Sequence, residues 1–206
     1  MKWEQDLFND IRTFTEFDNS DGGQDRVIIP PGWQMPQTEV TEANRAALLE
    51  RFLRVRDNCP AILEIGVARE TNADLTTTGI FLKNKRPETK YVGIDLDDKS
   101  HLNDPANNVF TIQNNSMDLE TNFAIFKDIG IEEFGFIFID GWHSINAVMI
   151  EWEYTRMLTR NGIVGFHDTT QHPGPHYFVK ALKKSIWNVE ENVCPNDYGI
   201  GFAWMK

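Results

Sequence analysis

The chain has 206 residues, 41% hydrophobic and 25% charged, which suits one soluble domain with a full core. Six Trp and fourteen Phe argue against a disordered chain. A formal charge of −11 disfavours broad binding to nucleic acid or to an anionic membrane, both of which need a basic face. Lys180, Lys183 and Lys184 read as a solvated helix face. The opening stretch MKWEQDLFND carries acids where a secretory leader needs an apolar run. No apolar run approaches the ~20 residues of a membrane helix. Cys59 and Cys194 lack metal-type spacing. They are expected to be reduced thiols in a cytoplasmic protein, with a disulfide between them left open.

In chain order, 2–14 has the apolar spacing of a short helix, and 18–37 is an irregular arm rich in turn formers. That arm, with Trp33, is a candidate lid. Residues 41–57 read as a helix capped by Thr41, with Leu48, Leu49, Phe52 and Val55 inward. Strands are expected at 61–66, 90–95, 109–113, 135–140 and 162–167. Helices are expected at 73–84, 118–129, 144–159 and 175–186. Two further strands, 186–191 and 199–205, have too short a link for a crossover and should pair antiparallel. The whole chain, 1–206, is therefore one α/β domain: a doubly wound, mostly parallel seven-stranded sheet with an antiparallel C-terminal strand. Residues 1–40 precede it as a helix and arm.

In such sheets ligands bind beyond the carboxyl ends of the strands. The first strand ends at Glu64 and Gly66, where a glycine lets backbone approach a ligand closely. The second ends at Asp95, an acid placed to accept hydrogen bonds from both hydroxyls of a ribose. Asn115 and Ser116, after the third, are placed for a base. The fourth and fifth end FIFIDGWH and IVGFHDTT. If neighbours, they bring Asp140, His167 and Asp168 together as ligands for a divalent cation. His143, at a helix start, has the ordinary pKa of a general base near neutrality. His172 and His176 flank a Pro-Gly-Pro turn whose spacing does not put both on one face. Trp142 is read either as a shield over the site or as core. The stripe Ile145, Val148, Met149 and Trp152 is core packing.

The order LEIG, GIDLD, FIFIDGWH, NGIVGFHD resembles the class I S-adenosylmethionine-dependent methyltransferases. Within them it is most similar to the small-molecule O-methyltransferases of the macrocin and cephalosporin hydroxylase-like (family 24-like) group. The match runs from Cys59 to Thr170 and loosely through GIGFAW. The resemblance implies a Rossmann-like fold, S-adenosylmethionine as cofactor, and a magnesium or manganese ion. It implies Glu64 and Gly66 by the methionine part, Asp95 on the ribose and Ser116 near adenine. Asp140 serves cofactor, metal and catalysis together, Asp168 and His167 the metal, and His143 the catalytic base. His167 stands where relatives often carry an acid, so it either selects a softer ion than magnesium or orients Asp168. The usual E-x-G-x-x-x-G loop ends here on Glu70 instead of glycine, after Arg69.

The expected activity is methyl transfer to a hydroxyl of a small molecule, with no nucleic-acid or membrane partner and with a homo-oligomer as an option that relatives suggest. Two alternatives stay open: a non-catalytic binding protein on the same fold, and a metal-dependent or nicotinamide enzyme of another class. The last is disfavoured by the missing G-x-G-x-x-G turn.

Overall fold

The computed structural model describes residues 40–67 and 75–206. The expected helix at 2–14, the arm at 18–37 and the turn holding Arg69 and Glu70 lie outside the described residues. The strands are β1 Ala61–Ile65, β2 Lys90–Asp95, β3 Val109–Gln113, β4 Phe134–Ile139, β5 Leu158–His167, β6 Trp187–Glu190 and β7 Ile200–Met205. They form one sheet in the order β3-β2-β1-β4-β5-β7-β6. β1 pairs in parallel with both β2 and β4, and β7 runs antiparallel to β5 and β6. This is the expected seven-stranded sheet, with chain direction reversed only where the short β6–β7 link forbids a crossover.

Among the described residues five helices flank the sheet: α1 Glu42–Val55, α2 Thr77–Asn84, α3 Leu119–Asp128, α4 Ile145–Glu151 and α5 Pro173–Ala181. Thr41, Thr76, Asp118 and Ser144 cap the first four, each accepting from an amide three residues on. Along β4 the side chains alternate between two cores. Phe136 and Phe138 pack with Leu48 and Phe52 of α1 and Phe81 of α2, whereas Ile137 and Ile139 pack with Phe126, Val148 and Trp152. Each such side chain taken fully from water contributes about 1.5–3 kcal/mol, so a strand apolar on both faces is held firmly at mid-sheet.

Helix limits differ from expectation in α4 and α5. The segment expected as one helix over 144–159 is helical only to Glu151, then winds as a 3-10 segment over Trp152–Met157 into β5. The tighter winding lets Trp152 and Tyr154, two residues apart, both enter the core, and Tyr154 Oη donates to Ser116 O at 2.6 Å. α5 starts at Pro173 because prolines in a first turn lack only an amide that has no helical partner anyway. It ends at Ala181, short of residue 186. Cys59 and Cys194 are free buried thiols, pushed by burial up to about 12 and about 11. Among the described residues no helix is long and apolar enough to cross a membrane.

Candidate active site

Register decides where the strand tips meet. Ile65 lies opposite both Ile94 and Ile139, and Ile139 lies opposite Phe166. Gly66, Asp95, Asp140 and His167 therefore leave the sheet at one level, around the gap between β1 and β4 where the chain order reverses. Gly66 N donates to Ile94 O, and Asp140 N donates to Ile65 O, both at 2.9 Å. A cavity of about 760 Å³ opens above them, lined by Gly66, Asp95, Ser116, Asp140, His143, His167 and Asp168 among others. Its size falls within the range of cofactor and small-ligand sites.

At one end, Asp95 Oδ2 accepts from Val67 N and Oδ1 from Asp97 N, both at 2.8 Å. Each carboxylate oxygen keeps a lone pair for a further donor. Ser116 and Asn115 lie on the same wall, beside the exposed apolar side chains of Leu96, Met117 and Trp142. Trp142 is thus a rim residue and not part of the core. Ser116 Oγ donates to Glu151 Oε1 at 2.6 Å.

At the other end, His143 Nε2 lies 2.8 Å from Asp168 Oδ2 and 3.4 Å from Asp140 Oδ1. His167 Nδ1 lies 3.3 Å from one oxygen of each carboxylate. Sequence alone places Asp140 where water relieves its charge. The structure instead boxes it between two imidazoles, with its side chain 20% exposed. Asp168 takes φ +59°, a left-handed conformation rare outside glycine, which turns its carboxylate into the cluster. Burial opposes the charge on every member, but their mutual attraction wins. Asp168 is held far below the usual carboxylate range by His167 and His143. His167 is held well above its ordinary value by the two carboxylates, and His143 is raised to about 9 by the same pair. His143 Nδ1 has no partner among the described residues.

One ligand atom from each of Asp140, His167 and Asp168 lies within 4.8 Å of the others, and one nitrogen with carboxylate oxygens suits a borderline divalent ion such as manganese. His143, Asp168 and His172 satisfy the same distance. However, the two imidazoles stack with centroids 4.4 Å apart and planes at 14°, so their lone pairs run nearly parallel and do not converge on one ion. His172 joins the site as this stacking partner while His176 does not, in keeping with a turn that does not put both on one face. Burial and the neighbouring His143 lower it to about 4. His176 turns away, its Nδ1 2.7 Å from Thr169 O.

Glu64 corrects another expectation. It is fully buried and absent from the cavity lining, and it accepts hydroxyl hydrogens from Thr77, Thr78 and Tyr91. Burial raises it to about 7 against those bonds. It braces the floor under Gly66 and the start of α2. Sequence reasoning passed over Asn44, whose Nδ2 lies 3.3 Å from His167 Nε2, although an amide four residues before Leu48 on a buried stripe was a readable signal. It also passed over Glu151, Arg45 and Tyr198, the last two on the cavity wall.

Solved structures share this architecture. The methyltransferase MycE from the mycinamycin biosynthetic pathway, in complex with Mg, SAH and mycinamycin VI, superposes with a TM-score of 0.56 at 16% identity. The match covers 78% of this chain and 48% of that one, so the chain spans about half the length of MycE. The apo structure of CalS11, TDP-rhamnose 3'-O-methyltransferase of calicheamicin biosynthesis, gives 0.56 at 14% identity over 79% of this chain and 80% of that one. The structure of an rRNA methylase from Streptococcus thermophilus gives 0.52 at 9% identity, covering 84% and 99%. The fold is the Rossmann-like methyltransferase fold. No family model matches the chain, and no curated protein matches it. In a methyltransferase-fold sheet the cavity lies where ligands are expected, at the reversal of strand order.

Proposed function

We propose that the chain transfers a methyl group from S-adenosylmethionine to a hydroxyl of a small molecule, at a site that takes a divalent ion. The observation that carries this reading is the single cavity joining Gly66 and Asp95 at one end to the Asp140, His143, His167 and Asp168 cluster at the other. Asp95 would receive the ribose hydroxyls, and the wall at Ser116, with Leu96, would receive adenine. The acidic lining favours a sulfonium cation.

Asp140, His167 and Asp168 would hold the ion, as Mn or Mg. When bound, it supplies Lewis acidity to the acceptor hydroxyl and offsets the carboxylate charge beside His143. At pH 7 the ring, raised to about 9, carries its proton toward Asp168, so it acts as base only with that charge offset. The stack on His172 and the tie to Asp168 keep His143 facing the cluster, and alignment of acceptor with methyl supplies the rest of the acceleration.

An RNA acceptor is disfavoured by the charge of −11. A nicotinamide enzyme would need the G-x-G-x-x-G turn that follows no strand here. Non-catalytic binding rests on Glu70, outside the described residues. Titration calorimetry tests the reading directly. S-adenosylhomocysteine should bind and NAD should not, and the reverse would sink it.

A further inference from the structure

We infer that Asn44 is a positioning residue for His167, turning its amide so that Oδ1 accepts from Nε2–H and Nδ1 is left free for a divalent ion. The inference rests on the reading that Asp140, His167 and Asp168 hold such an ion. Asn44 lies on the buried stripe of α1, in line with Leu48 and Phe52, and is 1% exposed. An amide there is costly unless it is hydrogen-bonded. Its Nδ2 stands 3.3 Å from His167 Nε2, while its Oδ1 has no partner among the described residues. Among those residues Asn44 is also the one hydrogen-bond partner of Nε2. The other ring nitrogen, Nδ1, faces Asp140 and Asp168 at 3.3 Å each.

Two ionised carboxylates can only accept, so without an ion Nδ1 carries a hydrogen toward them. Ligation by Nδ1 uses its lone pair in place of that hydrogen. The ring hydrogen then sits on Nε2 and needs an acceptor, as metal-bound histidines generally do. A half-turn of the amide supplies one, because it exchanges Oδ1 for Nδ2 within the same volume. The orphaned Oδ1 is the unused half of this device. A leucine at 44 would continue the apolar stripe but would leave Nε2–H unmet.

The test is manganese binding by calorimetry on the purified chain. The wild type should bind, and Asp168→Asn should bind on the order of 100-fold more weakly. Asn44→Leu should bind roughly 10–100-fold more weakly. Asn44→Asp, which only accepts, should stay within a few-fold of wild type. If the wild type binds no ion, or Asp168→Asn binds equally well, the site reading fails and the inference with it. If both controls behave and Asn44→Leu binds as wild type does, the inference alone is overturned. Should Asn44→Leu not fold, long-range proton–nitrogen correlation on the wild type decides. With zinc bound the His167 ring should carry its hydrogen on Nε2 alone, and a ring still protonated at Nδ1 with zinc present would overturn the proposal.

Discussion

A Cβ built on Gly66 would stand 2.0 Å from the carbonyl oxygen of Asp140. The turn after β1 and the turn after β4 are thus in backbone contact, and the two ends of the cavity share a wall. Gly66 also has φ +81°, which a side chain tolerates poorly. Gly66→Ala is expected to lower unfolding stability by roughly 2–4 kcal/mol, strain and collision together. Urea titration followed by two probes measures this, and a wild-type midpoint would mean that the two turns are not in contact.

Asp95 separates the cofactor end from the ion end. Asp95→Asn removes a charged acceptor but keeps the side chain's volume and one oxygen for the loop amides. S-adenosylhomocysteine affinity should fall about 10- to 100-fold, the weight of one or two charge-assisted hydrogen bonds. Manganese affinity should hold. Calorimetry with each ligand in turn checks the division, and equal losses in both would refute it.

How much of this was legible depended on the range of the interaction. The doubly apolar run of β4 and the acids at the tips of β2, β4 and β5 report their places locally, because burial on two faces and escape at the tip leave a residue-by-residue pattern. What depends on packing across the molecule was hidden. Glu64 looks like a cavity residue until Thr77, Thr78 and Tyr91 close over it. Which of His172 and His176 reaches the site stays hidden until α5 sets its first turn against His143. The end of α4 at Glu151 follows from Trp152 and Tyr154 both turning inward, which no helical period allows.

Asp168 tests the ion directly. Its left-handed backbone is one that asparagine also adopts, so Asp168→Asn adds no backbone strain. Manganese affinity should drop on the order of 100-fold, since a coordinating carboxylate becomes a neutral amide. Chelation of the wild type should likewise suppress methyl transfer while leaving S-adenosylhomocysteine binding intact. Full methyl transfer in the presence of chelator would refute the role given to the ion.

Glu151 makes stability depend on pH. It is wholly buried, one oxygen accepts from Ser116, the other has no partner among the described residues, and burial raises the carboxyl from 4.5 to about 7. Between those values the folded chain keeps a proton that the unfolded chain has released. Its contribution to stability is therefore full below pH 4.5, declines as pH rises, and is lost above about 7. The span corresponds to roughly 3 kcal/mol. Glu64, also raised to about 7, adds a decline of the same sign, and His143 extends it from 6.5 toward 9. Glu151→Gln keeps the bond to Ser116 and removes only its own share. The loss of stability between pH 5 and pH 7.5, read from urea midpoints, should shrink by a kcal/mol or more, on the order of the linkage above. At pH 5 the variant should match wild type, and at pH 7.5 it should exceed it. Parallel pH profiles for the two proteins would show that Glu151 is ionised in the folded chain.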